Sequence, residues 1–188
     1  QFALQGEANG VLALPNGDVV AAGLLPPPSS GALSHVARWN GSNWTGLVGP
    51  AGIGPTTGVT AMATLANGDV VVASGSKVMR RRGGQWTTIG DSTPLPSFGA
   101  EVFALAVLAN GDVIAGGRFA SIGGTPANCI ARWDGSTWFP LGGGIPGATA
   151  YVAALAVLPN GDVVAGGVFA FAGGLAAQGI ARWNGSSW

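Results

Sequence analysis

The chain of 188 residues carries eight basic and eight acidic side chains, a formal net charge of zero, with charged residues only 9% of the total. Such a composition offers no general field for nucleic acid or an anionic membrane, and no apolar run reaches the ~18 residues of a membrane-spanning helix. Glycine is abundant at 34 residues, yet 47% of the chain is hydrophobic, so many turns joining apolar strands fit better than a flexible linker.

In chain order, residues 1–6 (QFALQG) read as an isolated strand. An apolar strand, A, then runs to the turn Pro15-Asn16-Gly17-Asp18. Strand B starts at Val19, and a loop over 24–35 leads to strand C, Val36-Ala37-Arg38-Trp39. Asn40-Gly41 turns the chain into strand D, which opens at Trp44. The same landmarks return three times. Asn-Gly-Asp recurs at Asn67, Asn110 and Asn160, at intervals of 51, 43 and 50 residues. The R-W-N-G-S-x-W stretch recurs at Arg132–Trp138 and Arg182–Trp188, and in degraded form at Arg80–Trp86, RRRGGQW. From Asp to Arg the span is 20 residues in three copies (Asp18 to Arg38, Asp112 to Arg132, Asp162 to Arg182) and 11 in the other, Asp69 to Arg80. One nine-residue loop deletion explains the short copy.

Asn-Gly supplies the positive φ angles of a tight hairpin turn at little steric cost. Strand A is apolar on both faces, as in Val152–Leu158, which suits a strand covered on both sides. No long segment has a 3.6-residue period, so helix is expected to be almost absent. The expected fold is all-β: a β-propeller of four-stranded antiparallel blades, with repeats over about 1–47, 48–90, 91–141 and 142–188 forming a single domain. A β-solenoid is the runner-up, although its repeats are shorter and lack two hairpin turns each. The pattern V-x-A-L-A-V-L-P-N-G-D-V-V-A-G-G, continued to I-A-R-W-N-G-S-x-W, resembles the kelch-like repeats of secreted bacterial proteins and of cortical polarity markers. Residues 151–188 carry it almost whole and 59–90 keep only its landmarks. The resemblance implies a propeller and leaves the activity open.

Trp138 is followed by Phe139-Pro140-Leu141, the body of strand D, whereas Trp188 is the last residue. Residues 1–6 resemble that missing strand and are expected to complete the fourth blade, within one chain or in a two-chain ring of eight blades. Closure would remove an exposed sheet edge. The chain starts at Gln1 and is expected to be a mature, trimmed or partial product.

Repetition separates structural from functional candidates. Asp18, Asp69, Asp112 and Asp162 belong to the A–B turn, and Arg38, Arg80, Arg132 and Arg182 to strand C. An Asp–Arg contact inside each blade is expected, with a ring of Asp-lined cation sites as the weaker rival because Asn-Gly-Asp lacks the alternating ligands of a calcium loop. Trp39, Trp44, Trp86, Trp133, Trp138, Trp183 and Trp188 occupy repeated places and are expected to fill the layers between blades, with sugar stacking as the alternative. The sequons at Asn40, Asn43 and Asn184 read as turn chemistry. Lys77, Arg80, Arg81 and Arg82 read as a solvated edge.

No catalytic residue, metal ligand set or cofactor is expected. His35 is the only histidine and Tyr151 the only tyrosine, too few for a triad with recognisable partners or a copper-radical site. Cys129 is alone, so it forms no internal disulfide and reads as a packed thiol. Asp91 and Glu101 flank one loop, the last place a carboxylate pair could form. The B–C loops (24–35, 74–77, 118–129, 168–179) and D–A loops (46–58, 89–100, 141–150) vary and share one face of a propeller. Binding concentrates on loops of a rigid scaffold, so the ligand or partner face is assigned to His35, Asp91, Arg118, Asn128 and Gln178. The expected function is a non-catalytic binding or scaffold module for adhesion or assembly, outside the cell or at its surface. Its expected partners are copies of itself, as a dimer or larger assembly, and a protein or glycan; a repeat lectin is the alternative.

Overall fold

The computed structural model describes residues 7–25, 35–47 and 58–188. Among them there is no helix, and four repeat units each form an antiparallel sheet. Unit 1 runs β1 (Glu7–Ala13), β2 (Val19–Leu24), β3 (Val36–Trp39) and β4 (Trp44–Leu47), hydrogen-bonded in that order. Unit 2 holds β5 (Ala61–Thr64), β6 (Val70–Ser74), β7 (Lys77–Arg82) and the long β8 (Gln85–Thr93). In unit 3, β9 (Glu101–Val107) and β10 (Val113–Arg118) precede a small hairpin, β11 (Ser121–Ile122) and β12 (Thr125–Pro126). The unit ends with β13 (Ile130–Trp133) and β14 (Trp138–Pro140). Unit 4 contains β15 (Tyr151–Val157), β16 (Val163–Val168), the hairpin β17 (Phe171–Ala172) and β18 (Leu175–Ala176), and β19 (Ile180–Trp183). Its main sheet has three strands among the described residues. The segment expected to supply the fourth, residues 1–6, lies outside them.

The A–B turn differs from the expected one in its backbone. Only the glycine of each Asn-Gly-Asp adopts positive φ: Gly17 at 86°, Gly68 at 83°, Gly111 at 90° and Gly161 at 88°. The amide of Gly17 donates to the Leu14 carbonyl (2.9 Å) and that of Leu14 to the Asp18 carbonyl (2.7 Å). This is a four-residue turn closed by one left-handed glycine, the longer hairpin solution rather than a two-residue turn. Pro15 and Pro159 suit the second place of such a turn, where φ near −65° is required. Asn16 is retained for its side chain, whose Nδ2 donates to Asp18 Oδ2 at 2.9 Å.

The core lies between units. In β10, Val113 and Ala115 face unit 2, where they meet Val71, Ala73 and Val78. Ile114, on the other face, packs with Val152, Val163 and Ala165 of unit 4. Unit 1 packs on unit 2 through Val20, Ala22 and Val36 against Val59, Val70 and Val72. Strand A of units 2 and 3, apolar on both faces, is thus covered by its neighbours, whereas much of β1 and of β15 stays exposed.

Tryptophans tie units 3 and 4 each to the one before. The Trp138 indole N–H donates to the Ile89 carbonyl (2.6 Å), and the Trp188 indole N–H to the Leu141 carbonyl (2.8 Å). Trp138 is also clamped by the β11–β12 hairpin, which pairs backward onto β8 through Ser121↔Thr93 and Ile122↔Ser92. The hairpin turns at Gly123-Gly124; Gly123 sits at φ 56°, and a Cβ there would fall 2.4 Å from Trp138 Cδ1. Unit 2 lacks this hairpin, and Trp86 has a buried indole nitrogen without a partner among the described residues.

Candidate loop-face binding site

Each repeated Asp meets the repeated Arg of its own unit. Arg38 pairs with Asp18, Arg80 with Asp69 (2.5 Å), Arg132 with Asp112 (3.1 Å) and Arg182 with Asp162 (3.4 Å). The Asn16 amide and then Arg38 hold the Asp18 carboxyl below the usual carboxylate range. These acids are committed inside the sheets. In the C–D turn, Asp134 Oδ1 accepts from the Thr137 amide (2.8 Å) and the Ser136 amide (2.9 Å). Those bonds lower its pKa, and Asn40 and Asn184 accept from the same positions in their turns. Among the described residues no three His, Cys, Asp or Glu side chains converge.

The basic cluster of unit 2 divides. Arg80 stacks over the Trp133 ring of unit 3 at 5.4 Å. Arg81 fills the place that Trp39, Trp133 and Trp183 hold elsewhere. It is half-buried, and its guanidinium is pushed below its ordinary pKa by burial and then by Arg38. The expected solvated edge therefore holds only for Arg82.

The five face residues do not form one site. His35 is 2% exposed, with Nδ1 3.2 Å from the Gly23 carbonyl and Nε2 buried without a partner among the described residues. It belongs to the interior of unit 1 and leaves the face. Asn128, at φ 46°, donates through Nδ2 to the Gly143 carbonyl (3.0 Å), and its own carbonyl accepts from Ile145 (2.7 Å). It thus ties a B–C loop to a D–A loop, which puts those two loops on one side. Gln178 and Asp91 are exposed; Asp91 accepts from the Ser76 hydroxyl (2.9 Å). Glu101 instead meets Arg118 at 3.5 Å, so the two loop acids have separate partners. No hydrogen bond or ion pair joins any two of the five.

Arg118 is where unrepeated side chains gather. It ends β10, its Nε donates to the Gly99 carbonyl (3.1 Å), and its guanidinium lies 5.1 Å over Phe98 and 5.6 Å over Phe103. Phe103 meets Tyr151 edge-on at 5.7 Å and 72°. Phe103 is thrown out of register by a bulge in β9, where Gly116 and Gly117 pair with Ala104 and Val102. The bulge brings the Glu101 carbonyl so close to Gly117 that a Cβ would stand 2.2 Å from it. Phe98 stays 44% exposed and the Arg118 side chain 25%. Sequence reasoning named Arg118 and missed Phe98 and Phe103, which carry no charge or spacing signal. Below these strand starts, the A strands of all four units line a hollow of about 290 Å³, with Gly10, Thr60, Leu105 and Leu155 among its walls.

Cys129 is buried, its thiol donates to the Ala150 carbonyl (3.2 Å), and burial raises its pKa. It adopts φ 69°, close to the 78° of Gly179 at the matching place.

Comparison with known protein families and with curated protein sequences finds no match. Solved structures do match. An extracellular domain ascribed to a one-component system of B. thetaiotaomicron aligns over 94% of this chain and 21% of its own, with a TM-score of 0.61 and 12% identity. Virginiamycin B lyase from Staphylococcus aureus aligns over 100% of this chain and 56% of its own, with a TM-score of 0.63 and 14% identity. The chain therefore spans about a fifth and about half of the lengths of these two structures. No helix among the described residues is long and apolar enough to cross a membrane. At such identities the likeness carries the fold alone: an all-β array of antiparallel sheets like that of the propeller-fold lyase.

Proposed function

We propose that the four units are blades of a β-propeller, and that the chain is a non-catalytic binding or scaffold module working outside the cell or at its surface. The extracellular neighbour supports that location. The loop face is its recognition surface, and the arrangement that carries this reading is Arg118 held between Phe98 and Phe103. All three are single-copy groups on a frame whose repeated Asp and Arg side chains pair within their own units. Beyond its bond to the Gly99 carbonyl and its long contact with Glu101, the five-donor guanidinium backed by two rings has donors left for an acidic or carbonyl-rich partner, while Phe98 offers an apolar contact beside it. Loops rich in Gly and Pro with few polar anchors in their sequence suit a protein segment better than an enclosed small ligand.

The test is retention of the chain on a peptide array and, in parallel, on a glycan array. Peptide signals that disappear in Arg118→Ala support the reading. Signals confined to the glycan array would make the module a lectin. Signals indifferent to Arg118 would remove this site from the account.

A further inference from the structure

We infer that the exposed outer face of unit 4 is a docking surface for unit 1 of a second copy of this chain. The inference rests on the joints between units and holds whichever ligand the loop face takes. Each unit presents a forward face built from strands B and C: two apolar positions flanking a small residue, then the repeated Arg. In unit 1 these are Val20, Ala22, Val36 and Arg38; in unit 2, Val71, Ala73, Val78 and Arg80; in unit 3, Ile114, Gly116, Ile130 and Arg132. In units 1 and 2 all three non-Arg positions are fully buried, and in unit 3 Ile114 and Ile130 are 1% and 0% exposed. Unit 4 repeats the set as Val164, Gly166, Ile180 and Arg182, yet Ile180 is 65% exposed and the Arg182 side chain 63%.

The missing partner is defined by what fills the other joints. The small residue receives a knob from the next unit's strand A. A Cβ on Gly116 would lie 2.6 Å from Val152 Cγ1 and 3.2 Å from Leu155 Cδ1. Val59 and Val102 hold the place of Val152 in units 2 and 3 and are equally buried. At Gly166 the nearest atom to such a Cβ is the Gly179 carbonyl, 4.0 Å away in its own unit. The knob positions of unit 1 are Ala8 and Val11. Val11 stands 62% exposed where its counterparts Met62, Leu105 and Leu155 are half-buried. The arginine is a weaker guide, because Arg80 stacks on Trp133 of the following unit whereas Arg132 stacks on Phe139 of its own; the apolar positions define the joint. Among the described residues, one chain thus exposes both halves of the joint, Ile180 on unit 4 and Val11 on unit 1.

Such a joint is head-to-tail, and two copies joined at both ends close a ring without leaving sheet faces open. Eight units fall within the four to eight blades of known propellers.

Light scattering on the 188-residue chain at about 100 µM tests the inference. The expected mass is twice the 18.5 kDa of one chain. Ile180→Asp and Val11→Asp, one on each half of the joint, are each expected to halve it while the far-ultraviolet circular dichroism of the sheets is unchanged. A single-chain mass for the unaltered protein overturns the inference. So does a two-chain mass that survives Ile180→Asp. A dimer broken by Ile180→Asp but not by Val11→Asp would mean that two unit 4 faces meet each other, which overturns it as well.

Discussion

Asp134 shows how much a single repeated position does. Where two other copies use Asn, its carboxylate accepts from two amides and the Ser136 hydroxyl, and its pKa is lowered. A carboxyl with a folded pKa below its unfolded one contributes stability above the unfolded value, and loses it as pH falls through the folded one. Asp134→Asn keeps the acceptor and removes the titration. The variant is expected to melt like the parent near pH 7 and to lose less on acidification below about pH 4. A thermal melt across pH checks this, and parallel curves would refute it. Arg81 is the opposite case, a charge in a tryptophan's place. Replacing it by Trp removes a half-buried guanidinium near Arg38 and offers that arginine a ring, as Trp133 offers one to Arg80. Arg81→Trp is expected to raise stability by about 1 kcal/mol, read from denaturant midpoints; a lower midpoint would show that unit 2 has repacked around the arginine. Cys129, buried with a raised pKa, is expected to react with a thiol reagent at the rate of global unfolding. Fast labelling of the native protein would contradict its placement.

At the scale of elements, the sequence's two turn signals per repeat were enough to set strand order, because each is written in glycine and a short side chain that folds back on its own backbone. The kind of turn was less legible. Asn-Gly is compatible with a two-residue hairpin, and only the Leu14 to Asp18 bonds show the longer one. The β11–β12 hairpin was hidden for a different reason. Two-residue strands have no periodicity to read, so Gly123-Gly124 looked like plain loop. That hairpin secures the Trp138 latch, and two variants separate its parts. Trp138→Phe keeps the ring and leaves the Ile89 carbonyl unpaired, at a cost of about 1–3 kcal/mol. Gly123→Ala drives a Cβ into Trp138, whereas Gly124→Ala, also left-handed at φ 80°, meets nothing within 4 Å. The first alanine is expected to cost about 1–3 kcal/mol more than the second. Equal losses in calorimetry would mean that backbone strain alone is at work.

For the whole molecule, repetition made the frame readable and the site nearly invisible. Four Asp–Arg pairs and a row of apolar joints follow from residues that recur in every unit, even in unit 2, where the Asp-to-Arg span shortens from 20 residues to 11. Phe98 and Phe103 recur nowhere and are ordinary apolar residues in the chain. They become a site only when a bulge turns Phe103 out and a loop carries Phe98 over Arg118. His35 was misjudged because its loop varies between copies, while the histidine itself belongs to the interior. The central claim is this division of labour: repeated groups hold the units together, and unrepeated groups on the loop face bind. The most direct measurement compares Phe98→Ala/Arg118→Ala with the unaltered protein in array retention and in thermal melting together. The account predicts that retention is lost while the protein stays folded, its melting temperature falling by no more than about 6 °C, the scale of losing about one or two kcal/mol of local contacts. Retention unchanged, or retention lost together with the fold, would contradict it.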